Sequence, residues 1–179
     1  MKNIIIIGGS RGIGLAAARE LVAAGHRVFL VGRSEDHLRE ALSGLPAGTE
    51  TAAIDMAQTD APEKLLACLK ERDWTPDGLV FSAAAFGNRN NGRSVIEPGR
   101  SDLEQILVSN VVAPYATVKT LLPALRERHG QIVLIGSTAG IRRDKGGIYG
   151  ISKWAFAFSL SGQAVLEQID LRPIEGDTY

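Results

Sequence analysis

A tyrosine and a lysine stand four positions apart in Tyr149-Gly150-Ile151-Ser152-Lys153. On one helix such residues share a face. A phenol with a reference pKa of about 10 is a poor base at neutral pH. A lysine cation beside it favours the phenolate, so the pair can give or take a proton at a substrate oxygen. Upstream, the hydroxyl of Ser137 follows an apolar run and can hydrogen-bond the same oxygen, orienting a carbonyl. Near the N-terminus stands Gly8-Gly9-Ser10-Arg11-Gly12-Ile13-Gly14, a turn rich enough in glycine to let backbone approach a phosphate. Together these pieces describe proton transfer beside a bound dinucleotide that moves a hydride. Singly, each has a plain structural explanation: a core tyrosine, a surface lysine, a flexible turn.

The glycine turn has the context that phosphate binding needs. Ile4-Ile5-Ile6-Ile7 precedes it as a continuous β-branched run, the pattern of a central parallel strand. A helix is expected after it, from about Gly12 to Ala24, with Ile13, Ala17, Leu21 and Ala24 inward and Gly25 as its stop. A pyrophosphate at that helix N-terminus would meet free N–H groups and the positive end of the helix dipole. The spacing is G-G-x-x-G-x-G rather than G-x-G-x-x-G. The second strand, Val28-Phe29-Leu30-Val31, ends in Gly32-Arg33-Ser34, where an NAD site would carry a carboxylate for the ribose 2′-OH. With none there, Arg33 can pair with a 2′-phosphate in forked geometry, and Arg11 is a second candidate. The expectation is NADP(H) in preference to NAD(H); the alternative is two solvated arginines.

The elements that must position these groups alternate along the chain. Ser34 caps a helix with Leu38, Ala41 and Leu42 inward. Thr51 to Ile54 is a weaker strand ending at Asp55. Pro62 opens a helix through Leu65, Leu66 and Leu69. Gly78 to Ser82 is the fourth strand, and residues 86 to 100 read as a loop. Ser101-Asp102-Leu103-Glu104 has the form of a capping box opening a long helical region, bent at Pro114 and Pro123. Ile132 to Ile135 is the fifth strand. A loop from Gly140 to Gly147 leads to a helix expected from Tyr149 to Leu166. Strands alternating with helices mean a parallel sheet with right-handed crossovers.

Composition narrows the function. The chain has 179 residues, one domain's worth, and a formal net charge of zero, which gives no electrostatic case for nucleic acid or an anionic membrane. No apolar run approaches the roughly 20 residues of a membrane span. Cys68 is the single cysteine and reads as a small buried apolar residue. His26, His37 and His129 lie near element ends with no carboxylate or thiol cluster, so no metal site is expected. Arg142, Arg143 and Lys145 form a basic loop that either favours an anionic substrate or is simply solvated. With no signal-peptide layout at the start, the expected setting is cytoplasmic.

From Asn3 to about Leu166 the chain resembles the short-chain dehydrogenase/reductase family. The resemblance rests on Gly8, Gly9, Gly12 and Gly14, on Ser137, and on Tyr149 and Lys153. It implies a single-domain α/β fold: a Rossmann-like, doubly wound parallel sheet flanked by helices in three layers. It implies catalytic roles for Ser137, Tyr149, Lys153 and Asn110, with Asn110 helping to hold a water in the proton relay. It implies cofactor contacts from Gly8, Gly9, Ser10, Arg11, Gly12, Ile13, Gly14, Arg33 and Ser34. Further contacts come from Asp55 and Met56, from Ser82, Ala83 and Ala84, and from Tyr149 and Lys153. A homodimer or higher homo-oligomer follows too, through the helix around Val111 to Leu125 and the helix after Tyr149, whose Ala155, Phe156, Phe158 and Leu160 are apolar.

The chain departs from the family pattern in several places. Phe81-Ser82-Ala83-Ala84 replaces Asn-Asn-Ala-Gly. The stretch from Ser137 to Tyr149 is one residue shorter than the family's. After Leu166 only residues 167 to 179 remain, so residues 168 to 179 are expected to form a short tail with no sixth strand, lid helix or seventh strand. Pro173-Ile174-Glu175-Gly176-Asp177-Thr178 is a partial match to the family's segment after strand six. An open sheet edge and cleft would follow, which a partner chain could cover. The leading expectation is an NADP(H)-dependent oxidoreductase acting on a small carbonyl or alcohol. The alternatives are a relative that binds NADP(H) or a partner without turnover, and a dehydratase, isomerase or cyclase using the same tyrosine.

Overall fold

The computed structural model describes residues 1–86, 99–140, 147–159 and 166–169. Six parallel strands form one sheet in the order β3-β2-β1-β4-β5-β6. They are β1 (Asn3–Ile7), β2 (Arg27–Gly32), β3 (Glu50–Ala53), β4 (Gly78–Phe81), β5 (Gln131–Ile135) and β6 (Leu166–Ile169). The helices are α1 (Gly12–Ala23), α2 (Glu35–Ser43), α3 (Ala61–Glu71), α4 (Arg100–Leu107), α5 (Ala113–Glu127) and α6 (Gly147–Ser159).

The apolar run of β1 explains the layering. Successive side chains point to opposite faces of a strand. Ile5 and Ile7, with Phe29 and Val31, pack against Leu65 and Leu69 of α3, Leu121 and Leu125 of α5 and Phe156 of α6. Ile6, with Val28 and Leu30, packs against Ala18 of α1 and Leu38 and Ala41 of α2. Both faces are therefore covered, as a parallel sheet requires. Trp74 closes the rim of the first layer, its ring edge-on to Phe29 at 5.4 Å. Cys68 is partly buried against the same layer.

Several expectations need correction. The inner face of α1 is turned by one residue: Gly14 and Ala18 are buried, Leu21 is half-buried, and Ile13 is exposed. The turn's backbone sets where α1 meets the sheet, and it brings Gly14 inward. The capping residue of α4 is Gly99, not Ser101; the Asp102 carboxylate accepts from the Gly99 N–H at 2.9 Å. The last helix is described over Gly147–Ser159, and Leu166, expected to end it, instead opens β6 (Leu166–Ile169) beside β5. The open backbone edge of β5 decides this, because pairing satisfies its N–H and C=O groups. Gln168 and Ile169 thus belong to the sheet, and residues 170–179, including Pro173 to Thr178, lie outside the described residues.

The helical run Arg100–Glu127 is long and apolar enough, by length and composition, to cross a membrane. Here it lies along the sheet and buries Ile106, Asn110, Ala113, Thr117, Leu121 and Leu125. Pro114 and Pro123 do not break it. Instead Val108–Val112 forms a π-turn between α4 and α5.

At the sheet end opposite the glycine turn, Asp77 ties four elements together. Its carboxylate accepts from the Asn3 N–H at 2.8 Å and from Arg128 Nε at 2.9 Å. Its backbone carbonyl accepts from the Gln131 N–H at 3.2 Å. The Asn3 bond first, then Arg128, holds the carboxyl below its ordinary range. A carboxyl depressed on folding lends stability above its unfolded value of about 3.9 and loses it as pH falls through the folded value. Asp77→Asn is therefore expected to lower stability at pH 7 by about 1–2 kcal/mol, and the gap should narrow below about pH 4. Urea titrations at both pH values check this; a gap that does not change with pH would refute it.

Candidate active site

The C-terminal ends of β1, β2, β4 and β5 open on one cavity of about 490 Å³. This is where an open parallel sheet binds ligands. Each glycine of the turn has its own reason. Gly8 has φ +82°, and a Cβ there would lie 2.6 Å from the Ala83 nitrogen. A Cβ on Gly14 would strike the Gly8 carbonyl oxygen, and one on Gly9 would come 2.8 Å from Leu30 Cδ2. Gly12 has φ +56° with open space beyond it. Gly8 and Gly9 also donate to the Val31 carbonyl at 2.8 and 3.2 Å, which pins the turn to β2.

On the β2 and β3 side the cavity is lined by Gly8, Ser10, Arg11, Gly12 and Ile13, by Arg33, and by Asp55 and Met56. Neither Arg11 nor Arg33 is in a salt bridge among the described residues. Asp55 accepts from the Ala57 N–H at 3.1 Å, which fixes its carboxylate beside the cavity. Gly9 and Gly14 do not line the cavity; they shape the turn from behind. Ser34 does not line it either, because its hydroxyl accepts from the His37 N–H at 3.3 Å and caps α2.

On the β4 and β5 side lie Ser82, Ala83, Ala84, Ala85, Phe86, Tyr149 and Lys153. Phe81, where the family has asparagine, is buried in the core, so apolar packing replaces a polar tie at the centre of the sheet. Tyr149 and Lys153 face the same cavity, as their i, i+4 spacing requires. Lys153 Nζ lies 5.9 Å from the Tyr149 ring centre and 5.4 Å from that of Phe156. It donates to the Ile135 carbonyl at 3.0 Å. Burial lowers its pKa to about 8, which still leaves mostly ammonium at pH 7.

Ser137 stands next to Gly136, a cavity residue, but is not itself part of the lining. Its oxygen accepts from the Ala139 N–H at 3.2 Å, and its O–H remains able to donate elsewhere. The turn Thr138–Gly140 packs hard on α6: a Cβ on Gly140 would come 2.9 Å from the Lys153 carbonyl carbon, and one on Gly150 2.9 Å from the Ala139 oxygen.

Asn110 is buried, and its side chain reaches protein rather than water. The amide oxygen accepts from the Ala85 N–H at 2.7 Å. The amide nitrogen donates to the Ala85 carbonyl at 2.8 Å and to Ser152 Oγ at 2.9 Å. The Asn110 side chain thus positions the loop after β4 and the start of α6. Sequence reasoning missed Phe86, Ser109 and Ser152. An aromatic just past the fourth strand was the available signal for Phe86. Ser109 and Ser152 could have been found only as helical neighbours of Asn110 and Lys153.

The residues present fit a dinucleotide. The turn makes a cradle that a Cβ would fill, and two arginines line the side where a 2′-phosphate would lie. Among the described residues no three His, Cys, Asp or Glu side chains group as metal ligands.

Comparison with known proteins shows the family. The chain belongs to the short chain dehydrogenase family, whose model matches residues 2–167. It is 31% identical to the NADP-dependent 3-hydroxy acid dehydrogenase YdfG of Escherichia coli (strain K12), over 84% of this chain and 60% of that protein. A short chain dehydrogenase structure from Pseudomonas syringae superposes with a TM-score of 0.79 at 28% identity, covering 96% of this chain and 76% of that one. An actinorhodin polyketide ketoreductase solved with NADPH gives 0.76 at 29% identity, covering 86% and 60%. The chain thus spans about three fifths of the length of the curated relatives it matches.

The buried amine gives a pH prediction. In Lys153 the folded pKa is lowered from about 10.4 to about 8, so the penalty for burying charge is full below pH 8 and fades above it. Wild-type stability relative to Lys153→Met should therefore rise by about 1.4 kcal/mol per pH unit between about pH 8 and 10. Paired urea titrations of the two proteins measure this; a difference that stays flat would disprove it.

Proposed function

We propose that this protein is an NADP(H)-dependent oxidoreductase that reduces a carbonyl to an alcohol, or runs the reverse, with Ser137, Tyr149 and Lys153 as its catalytic groups. One observation carries the reading: Tyr149 and Lys153 share one cavity with the glycine turn and Arg33. Two relatives support the choice of cofactor, since YdfG is described as NADP-dependent and the ketoreductase was solved with NADPH. When bound, NADP(H) supplies or accepts the hydride. The glycine turn would hold its pyrophosphate, and Arg33 with Arg11 its 2′-phosphate.

The chain's own residues handle the proton. Reduction places a hydride on carbon and a proton on oxygen. Tyr149 Oη gives that proton, and takes it back in oxidation. The Lys153 ammonium near the ring stabilises the phenolate left behind. Ser137 donates to the carbonyl oxygen and holds it in line with Tyr149. Asn110 keeps the helix carrying Tyr149 fixed against the loop after β4.

A second reading keeps binding and drops turnover. Its support is that Ser137 stands outside the cavity lining. NADPH fluorescence titration and a carbonyl panel separate the two. Tyr149→Phe should cut carbonyl reduction by at least ~10²-fold while leaving NADPH affinity within about twofold. Arg33→Ala should weaken NADPH and leave NADH nearly unchanged. Tight NADPH binding with no reduction of any carbonyl by the wild type would favour the second reading.

We also propose that a second copy covers the outer faces of α5 and α6. Val112, Tyr115, Ile151 and Trp154 are 54, 50, 57 and 57% exposed on neighbouring helices, an unusual set for open surface. Phe156 is not part of this face, since it is buried in the core. The side chains of Phe158 and Leu160 lie outside the described residues. Sedimentation should give a dimer that Trp154→Glu dissociates; a wild-type monomer at micromolar concentration would end this proposal.

A further inference from the structure

We propose that Phe86 selects the substrate: it admits a carbonyl flanked by a planar aryl group and contacts that group with its open surface. This rests on the oxidoreductase reading above and specifies its substrate class.

The Phe86 and Tyr149 rings are stacked, with centroids 4.7 Å apart and planes 28° apart. Phe86 is nevertheless 52% exposed and lines the same cavity as Tyr149. A phenyl ring left half in water gains when an apolar ligand covers it, and aromatic ligands gain most through offset or edge contacts. The ring is also held in place. It follows Ala85, whose N–H and C=O are both bonded to the Asn110 amide. A residue anchored this way presents a surface prepared before the substrate arrives.

The surroundings match an aryl group. Ala84, Ala85, Ala113 and Gly136 keep this part of the cavity wall small and apolar. Ser109 adds one hydroxyl. Among the described residues, Lys153 is the only cation lining this side, and its Nζ is bonded to the Ile135 carbonyl. Arg142, Arg143 and Lys145 lie outside the described residues, and an aryl ketone needs no cation. Its carbonyl oxygen would approach the Tyr149 hydroxyl with its ring against Phe86.

Calorimetry on the full chain with saturating NADP⁺ tests this without turnover, using acetophenone, cyclohexyl methyl ketone and 3-oxobutanoate as probes. Wild type should bind acetophenone most tightly of the three. Phe86→Ala should weaken acetophenone about tenfold and cyclohexyl methyl ketone by less than about threefold, while Phe86→Tyr keeps wild-type affinity. NADPH fluorescence titration of each variant checks that the fold and cofactor site survive. An equal loss for both ketones, no loss for acetophenone, or tighter binding of 3-oxobutanoate would overturn the inference. Phe86-dependent acetophenone binding in a protein that never oxidises NADPH would instead overturn the oxidoreductase reading and leave the aryl site standing.

Discussion

The cleft depends on one buried amide. Asn110 is 2% exposed, and an unpaired amide at that depth would cost about 1–3 kcal/mol. Its oxygen and nitrogen hold both backbone groups of Ala85 and the hydroxyl of Ser152. Ser152 in turn donates to the Tyr149 carbonyl at 2.7 Å. One chain of bonds therefore joins the loop after β4, the middle of a long helix and the start of α6. Those segments are distant in sequence and would otherwise move separately. Their locking sets where Tyr149, Lys153 and Phe86 stand relative to one another.

The helix is shaped to allow this. Residues Val108–Val112 adopt a π-turn, which widens the helix at the position of Asn110. Pro114 follows in the first turn of α5 and has no N–H to offer the carbonyl four residues back, which is that of Asn110. The bend expected at Pro114 is thus realised as a change of hydrogen-bond register, with the helix axis continuing on both sides. Proline and asparagine act together there: one loosens the ladder, and the other uses the space.

Packing at the turn shows the same economy. Gly8, Gly14 and Ala83 meet so closely that no larger side chain fits between β1, α1 and β4. Ala83 stands where the family also has alanine, and the substitutions around it, Phe81 and Ala84, fall where a buried apolar group or one extra methyl is accommodated. Of the departures from the family pattern, Phe81 packs in the core and also borders the cleft, and Ser82 and Ala84 line the cleft directly.

Much of this was legible in residue order. β-Branched runs marked the strands, because a strand buried on both faces has no polar alternation to lose. The glycine turn, Arg33, Asp55, Tyr149 and Lys153 could be placed because each sits at the C-terminal end of a strand or one helical turn from its partner. Other features were not legible. The α1 face was displaced by one residue, since the angle at which a helix leaves a turn is a backbone property. Strand β6 was not foreseen: Leu166 was read as the end of a helix and the residues after it as a tail, since four residues show no decisive period until an open neighbouring edge demands pairing. Ser34 was read as a cofactor contact; it caps α2 and stands outside the cavity lining, which residue order alone does not show.

Residue order by itself determined five of the six strands, the glycine turn and the placing of Tyr149 and Lys153 on one helical face, because each follows from local spacing. Only the tertiary structure decided that Asn110 bonds Ala85 and Ser152, that Lys153 turns to Ile135, and that Phe86 covers Tyr149. Those are contacts between elements, set by how helices seat on a sheet, and no local periodicity encodes them.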